Sequence, residues 1–217
     1  MTIADGGLLD LGDGGLLAID DGAGRLPAFA FSGDGVITNG SIRLCGEMAA
    51  AARTQTFTVA DDTDAVDFAI YSDIIDGLQP GCGLTKDGAG ALLLAGGNSY
   101  TGATTVAAGA LQLSGSLANA KLRVDAGASF ETLPGAILPV NEGDAISVSG
   151  TLDLAGTTLD VRLEDKAPVV LVDYADDGAT VEGIEDVTLQ GGWYLANDTD
   201  NRVVHLRPLL GTLLLLR

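Results

Sequence analysis

The sequence predicts an all-β chain wound into stacked coils, a single-stranded β-solenoid. The phrase Gly-Ala-Leu-x-Leu at residues 90–94 returns at residues 109–113, nineteen positions later, a period that suits one coil of a solenoid. Within each phrase two leucines are spaced by two, which places both on one face of a strand. Glycine, asparagine and serine fill residues 96–99 between the phrases, where they turn the chain at low steric cost.

Short strands with the same alternation are expected from the start of the chain. Residues 7–11 and 15–19 predict two glycine-led strands, residues 20–27 a corner and residues 28–31 a further strand. The central phrase recurs in outline at 40–44. Residues 47–53 are rich in alanine without a 3.6 periodicity, so an outer loop and a short helical turn both stay open there. Alternating apolar pairs follow at Phe57 and Val59 and at Phe68 and Ile70.

The alternation continues beyond the central repeat, at residues 122–124, 146–148, 152–154 and 159–163. The phrase reappears at 150–154, which begins 41 positions after Gly109 and therefore about two coils later. Pro134 and Pro139 cannot donate to a central ladder, so a corner or an edge strand is expected there. At this period the chain would form about nine or ten coils.

A change of pattern near residue 169 predicts a closing unit. Residues 169–172 are continuously apolar, and residues 191–206 have the pattern of a β-hairpin, with the single tryptophan, Trp193, as a lid. We therefore divide the chain into solenoid coils at 1–168, capping strands at 169–207 and an apolar tail at 208–217.

Residues 83–113 resemble the autotransporter-associated β-strand repeat, also called the passenger-associated transport repeat. Ala91 and Ala110 replace the usual threonines, and Leu93 stands where a polar outward residue is usual. The positions that carry the resemblance are Leu84, Thr85, Lys86, Gly88, Gly90, Leu92, Leu94, Gly96, Asn98, Tyr100, Gly102, Thr105, Val106, Gly109, Leu111 and Leu113.

The resemblance implies a right-handed parallel β-helix within an exported passenger domain, secreted or held at the cell surface by type V secretion. It implies that the repeat assists transport and folding and has no active site. We expect a structural role as a stalk segment, with no catalytic residue, no cofactor and no metal ion. Asn98 and Tyr100 belong to the family motif, and we expect them to make hydrogen bonds at a corner.

The acidic composition excludes polyanionic partners. The net charge of −19 and the isoelectric point near 4.1 repel nucleic acid and anionic membrane surfaces, and they favour a soluble monomer. The first residues lack a basic and an apolar segment, so we expect no signal peptide here and take the chain for part of a longer exported protein. The apolar residues 209–216 are too few to span a bilayer, which needs about 20.

The single histidine and the two cysteines are candidates for catalysis, metal binding or a disulfide. His205 is the only histidine, and its neighbours Val204 and Leu206 place it outward on a strand, so a catalytic or zinc-binding role is not expected. Cys45 and Cys82 lie 37 positions apart, close to two coils, a spacing at which they could lie on the same side of the solenoid. Two buried unbridged residues are the commoner outcome for such a pair, and a disulfide in an oxidising compartment is the alternative.

Acidic residues raise two further possibilities. The pairs at 20–21, 61–62 and 176–177, with Asp64 and Asp67, would suit a polysaccharide-degrading enzyme only if a basic partner lay at a matched offset, and none does. Residues 61–64 and 198–201 offer oxygen ligands for calcium but do not continue into a known calcium loop.

Two rival functions remain. An adhesive surface that binds glycans or a host or neighbouring cell would need exposed aromatic side chains along one face. The four tyrosines, Tyr71, Tyr100, Tyr174 and Tyr194, share no common offset. A β-helix polysaccharide-degrading enzyme is the weaker rival, so the sequence favours a non-catalytic structural role.

Overall fold

The computed structural model describes residues 2–3, 6–18, 29–45, 52–62, 64–77, 79–164, 167–174, 176, 178–190 and 192–209. These residues form 24 β-strands and one 3₁₀ turn, Ile184–Asp186, and no α-helix occurs among them. The all-β prediction is therefore confirmed. The expectations for residues 20–27, for Asp177 and for most of residues 47–53 and 208–217 fall outside the described residues.

The strands are short, as the spacing of glycine corners predicts. Those of the first half are Thr2–Ile3 (β1), Leu8–Asp10 (β2), Leu16–Ala18 (β3), Phe29–Phe31 (β4), Gly35–Thr38 (β5), Ser41–Arg43 (β6), Thr54–Val59 (β7), Phe68–Ile70 (β8), Asp73–Ile75 (β9), Gly83–Asp87 (β10), Ala91–Leu94 (β11), Thr104–Val106 (β12) and Ala110–Leu113 (β13). Those of the second half are Leu122–Val124 (β14), Ser129–Thr132 (β15), Ile137–Val140 (β16), Ile146–Val148 (β17), Thr151–Asp153 (β18), Thr158–Val161 (β19), Val169–Asp173 (β20), Thr180–Glu182 (β21), Thr188–Leu189 (β22), Trp193–Asp198 (β23) and Val203–Pro208 (β24).

Successive strands join different sheets in rotation. The first sheet has the order β1-β4-β7-β10-β12-β14-β17-β20-β24-β23, and the second has the order β2-β5-β8-β11-β13-β15-β18-β21. A third position is filled by β3-β6-β9 and by β16-β19-β22. Between these two small sheets, Gly97 and Ser116 continue the third position as single parallel bridges. We call one passage through the three positions a rung, so that β1 to β3 form rung 1 and β20 to β22 form rung 8.

The register of the central repeat agrees with the sequence prediction. Ala91 to Leu94 pair in parallel with Ala110 to Leu113, nineteen positions on. Ala110 pairs with Ser129, and Ser129 with Thr151, so the phrase at 150–154 lies two rungs beyond the phrase at 109–113, as expected. The phrase at 40–44 also forms a strand, β6, but that strand lies in the third position rather than in the second sheet.

The number of coils is lower than predicted. The described residues form eight rungs rather than nine or ten, because the period of nineteen holds only around the central repeat. Thr104 pairs with Leu122, 18 positions on, whereas Gly35 pairs with Phe68, 33 positions on. The corners absorb the difference: residues 88–90 join the first two strands of rung 4, and residues 60–67 join those of rung 3.

An antiparallel hairpin follows the last rung. Strands β23 and β24 pair antiparallel, and β24 pairs antiparallel with β20, so the hairpin expected within residues 191–206 is present. Trp193 is buried on it. Parallel pairing continues through β20, β21 and β22 to Leu189. The division at residue 168 stays a prediction.

The core is a column of side chains that point inward from every rung. In β11 and β13 the residues Leu92, Leu94, Leu111 and Leu113 are fully buried, as the two-residue alternation predicts. Pro139 lies on β16, an edge strand of its three-stranded sheet, where a missing N–H group is tolerated. Burial of such columns against both neighbouring rungs is the main stabilising term.

Candidate functional site

Lys86 is the most unusual residue of the repeat because it occupies an inward position. In β10 Leu84 points inward, Thr85 outward and Lys86 inward again, in register with Phe57 and Val106. The lysine is fully buried. Its Nζ donates hydrogen bonds to the carbonyl oxygens of three residues, which are Asp87 at 3.1 Å, Gly88 at 2.7 Å and Ala108 at 3.0 Å. The lysine therefore ties the corner of rung 4 to the corner of rung 5.

Burial governs the protonation of this amine. Desolvation lowers the pKa of Lys86 from 10.5 to about 8, and the negative charges of Asp87 and Asp67 oppose that change. A buried ammonium is tolerated only when acceptors surround it, and here three carbonyls do so. At neutral pH the folded protein therefore keeps a positive charge inside its core.

Asn98 connects three rungs at the corner where strands of the third position are missing. The Asn98 Oδ1 accepts a hydrogen bond from the backbone N–H of Ile74 in rung 3, at 3.2 Å. Its Nδ2 donates to the carbonyls of Gly96 and of Ser116 in rung 5, both at 3.0 Å. The asparagine is buried. The amide group thus replaces strand pairing there, and the expected corner hydrogen bonding is present.

Tyr100 is the third buried polar residue of the motif. Its hydroxyl lies 2.6 Å from Thr104 Oγ1, and both side chains are buried. Burial raises the pKa of the Tyr100 phenol well above its ordinary value, so the ring stays neutral at any physiological pH. The tyrosine fills the core at the corner before β12.

The motif glycines lie where neighbouring rungs touch. A Cβ on Gly88 would come within 2.3 Å of the Val59 carbonyl oxygen, and one on Gly109 within 2.5 Å of the Gly88 carbonyl oxygen. Both glycines have positive φ, +81° and +64°, which side chains disfavour. The would-be Cβ atoms of Gly90, Gly96 and Gly102 also clash with backbone of the preceding rung.

The remaining motif positions follow the alternation. Thr85 and Thr105 point outward from the first sheet and are half-buried. The others are fully buried apolar side chains, namely Leu84, Leu92, Leu94, Val106, Leu111 and Leu113. The motif therefore combines an apolar column with two polar ties between rungs and a set of corners too narrow for a side chain.

Sequence reasoning missed that several carboxylates also tie rungs together. Buried Asp67 accepts hydrogen bonds from the N–H groups of Asp62 and Ala91, each at 2.6 Å. Asp76 accepts from the N–H groups of Cys82 at 3.0 Å and Thr101 at 3.1 Å. Their donors lie up to 25 residues away, a distance at which sequence shows no pattern.

The two cysteines form a disulfide, so the commoner outcome expected from the sequence, two unbridged residues, is wrong. Cys45 follows β6 and Cys82 precedes β10, and their Cα atoms lie 6.2 Å apart. Both residues are fully buried. The 37 positions that separate them contain one rung and long corners rather than the two coils that the spacing suggested. The bridge joins rung 2 to rung 4 and encloses all of rung 3, because long corners bring the two ends together.

The other candidates do not converge. His205 is half-buried between fully buried Val204 and Leu206, so it points outward as expected. Asp198 accepts hydrogen bonds from the Asn201 backbone and side chain. Asp176 accepts one from Ser149. In the part of the chain that the structure describes, no three His, Cys, Asp or Glu side chains are placed to hold a metal ion.

Three concavities of the described surface contain acidic side chains, as a carbohydrate-active site would. One, of about 170 Å³ beside β20, contains Glu142 and Asp144 among mostly apolar residues. A second contains Asp160 and Arg162, which form an ion pair with each other. The third contains four carboxylates. None of these three combines several carboxylates with a lysine or arginine.

Exposed aromatic side chains do not form a row. Tyr100 and Tyr174 are buried, whereas Tyr71 and Tyr194 are exposed on different sheets. Tyr174 packs under the Arg202 guanidinium, 5.4 Å from the ring centre. The described tyrosines therefore provide no aromatic track of the kind a glycan-binding face needs.

The comparison with protein families agrees with this geometry. Residues 84–113 match the model of the passenger-associated-transport-repeat. No curated protein and no solved structure matches the chain. Within the residues described above, no helix is long and apolar enough to cross a membrane. The match covers the segment that contains Lys86, Asn98 and Tyr100, and the repeat family is structural rather than catalytic. The chain thus carries a passenger-associated transport repeat, which indicates a passenger segment of an autotransporter, a class of secreted or surface proteins.

Proposed function

We propose that this chain is a right-handed parallel β-solenoid that serves as a non-catalytic stalk segment of an exported passenger, and that its repeat assists folding during transport. The observation that carries the proposal is the set of buried polar ties in the matched repeat. Lys86 and Asn98 together hold rungs 3, 4 and 5 through backbone groups.

Such ties matter because a single rung cannot fold alone. A coil of about twenty residues loses more conformational entropy than its few buried side chains recover, so each rung needs a neighbour on which to stack. A folded rung that presents inward hydrogen-bond donors fixes the register of the next rung as that rung stacks on it. The Lys86 ammonium, for example, presents a donor to the Ala108 carbonyl, which lies 22 residues further along.

The proposed export also agrees with the disulfide. A bridge between Cys45 and Cys82 persists in an oxidising compartment and is rare in the cytosol. No source of chemical energy is available outside the cell. Folding of the segment that has already been exported would therefore prevent it from sliding back through the membrane. We propose that the chain works as a monomer within a longer polypeptide, with neither nucleic acid nor membrane insertion as part of its role.

The proposal is tested by display on a bacterial surface. The chain is inserted between the signal peptide and the translocation unit of an autotransporter, and its surface exposure and protease resistance are followed with time. We expect the wild-type chain to reach the surface as a resistant fragment, and the Lys86→Met, Asn98→Ala double variant to reach it more slowly. Equal export of both, with the double variant shown to be less stable in solution, would refute a role for the repeat in transport.

A further inference from the structure

The outer face of the second sheet changes character along the axis. Leu8 pairs with Val36, Val36 with Ala69 and Ala69 with Leu93, so one apolar residue stands above the next over rungs 1 to 4. We call these four residues the apolar stripe. The same column continues through Gln112 in rung 5 to Glu131, Asp153 and Glu182 in rungs 6 to 8.

The apolar stripe lies on the surface rather than in the core. The neighbouring residues Ile37, Ile70 and Leu92 point inward and are almost fully buried, so the stripe points outward. Leu8 is 67% exposed, and the other three are half-buried. Tyr71 follows Ala69 by two residues on the same face and is 54% exposed.

Negative charge borders the apolar stripe on both sides. Asp34, Asp61 and Asp64 are exposed at the corners that lead into the second sheet, and Asp10 is exposed at the end of β2. Hydrogen bonds from the Asn39 side chain and the Gly12 N–H lower the pKa of the Asp10 carboxyl, so it is ionised at neutral pH. Among the described residues of rungs 1 to 4, no lysine or arginine lies on the second sheet.

The apolar centre and the acidic borders together indicate the chemistry of the partner. A second copy of this chain would bring the same acidic borders together, in a molecule of net charge −19. A partner with an apolar face and cationic flanks satisfies both parts of the surface. Three rung spacings of about 4.8 Å give the stripe a length of about 14 Å, which an α-helix covers with about ten residues.

We propose that the apolar stripe, with Tyr71 and its acidic borders, binds a cationic amphipathic peptide segment laid along the axis. The leucine-type side chains of that segment contact Leu8, Val36 and Leu93, and its lysine or arginine side chains face the bordering carboxylates. This binding goes beyond the structural role and does not depend on export. At the cell-surface location proposed above, this binding would hold membrane-active cationic peptides away from the membrane.

The test uses the whole chain and two synthetic peptides of about 14 residues. One places leucines on one helical face and lysines on the other, and the second has the same composition in an order without amphipathic character. Calorimetry at physiological salt should give an affinity at least about tenfold higher for the amphipathic peptide. Equal affinity for both peptides would mean that charge alone causes binding and would overturn the proposal.

Matched variants place the binding on this face. The double variant Leu93→Gln, Tyr71→Ser should bind the amphipathic peptide at least about fivefold more weakly. Glutamine suits position 93 because Gln112 already occupies the equivalent position in the next rung. The control Ile137→Gln changes an exposed residue of the third position, 42% exposed, and should leave affinity unchanged. An equal effect of both changes, or a dimer in sedimentation velocity that the double variant abolishes, would count against the proposed partner.

Discussion

Single polar residues inside the core give the repeat its specificity at the residue scale. Leucines in stacked rungs would tolerate a shift of the register by a whole pair of residues, whereas Lys86 and Asn98 each require particular carbonyl and N–H groups. Buried polar groups of this kind contribute little net stability when satisfied and cost much when left without partners. Their main effect is therefore on which rungs pair.

Replacing Lys86 by methionine should test this reasoning. The methionine side chain fills a similar volume but leaves the carbonyls of Asp87, Gly88 and Ala108 without their donor, so the free energy of unfolding should fall by about 1–3 kcal/mol. Urea unfolding followed by circular dichroism measures the change. Thr85→Ser, outward on the same strand, is the control and should stay within about 0.5 kcal/mol. A methionine variant as stable as the control would show that the ammonium contributes nothing.

The pH dependence of the same pair of proteins gives a second prediction. The pKa of Lys86 is about 8 in the folded protein and 10.5 when exposed. Between these values the unfolded chain binds more protons, so stability rises with pH. The wild type should therefore gain stability relative to Lys86→Met as pH rises from 8 to 10. A constant or opposite difference would show that the carbonyls outweigh desolvation and that the pKa is not lowered.

At the residue scale, sequence reasoning reached the inward leucines but not the environment of Lys86. Its alternation with Leu84 places the side chain inward. A charged side chain is rarely buried, however, unless hydrogen-bond acceptors surround it, and the sequence does not show the three carbonyls that do so here. Those acceptors include a carbonyl 22 residues away. Long-range partners of this kind have no local signal, which is also why the roles of Asp67 and Asp76 were missed.

Corners and strands carry different constraints at the element scale. Strand positions alternate strictly, which is why β11 and β13 could be predicted with their register. The phrase at 40–44 forms a strand of the third position, whereas the phrases at 90–94 and 109–113 form strands of the second sheet. A glycine followed by alternating apolar residues suits any strand that follows a tight corner, so the phrase predicts a strand but not its sheet. Corner length varies from 88–90 to 60–67 between the same two sheets, and no residue pattern fixes it.

Two corner glycines allow these constraints to be separated. Gly88 and Gly127 both have positive φ, +81° and +78°, but a Cβ would strike the Val59 carbonyl only at Gly88, and nothing lies within 4 Å at Gly127. Gly127→Ala should lower the free energy of unfolding by about 1 kcal/mol, because alanine disfavours the left-handed conformation. Gly88→Ala should cost about 2 kcal/mol more, because the rungs must separate. Thermal unfolding of both variants measures the difference, and equal costs would exclude crowding between rungs.

Contacts between neighbouring rungs dominate at the scale of the whole molecule, so opening can start at one end and proceed along the axis. The Cys45–Cys82 bridge is the exception, since it links rung 2 to rung 4. The eightfold stacking followed from the sequence only approximately, because one period near residues 83–113 was applied to a chain whose other rungs are longer.

Loss of the bridge should therefore weaken rungs 2 and 3 selectively. The Cys45→Ser, Cys82→Ser variant should lose about 2–4 kcal/mol, since the bridge closes a loop of 37 residues. Hydrogen exchange should rise in residues 29–75 and change little in residues 84–113. Reductant should reproduce the effect in the wild type and have none in the variant. Uniform exchange along the whole chain would instead show a single cooperative unit.

The unequal corners have a practical consequence for engineering. The same pair of sheets is connected by residues 88–90 in one rung and by residues 60–67 in another, while β7, β10 and their partners keep an unbroken ladder. Foreign peptides grafted beside the exposed Asp64 of the longer connection should therefore project into solvent, provided that the hydrogen bonds of buried Asp67 are kept. The molecule offers a rod on which epitopes could be mounted at chosen heights.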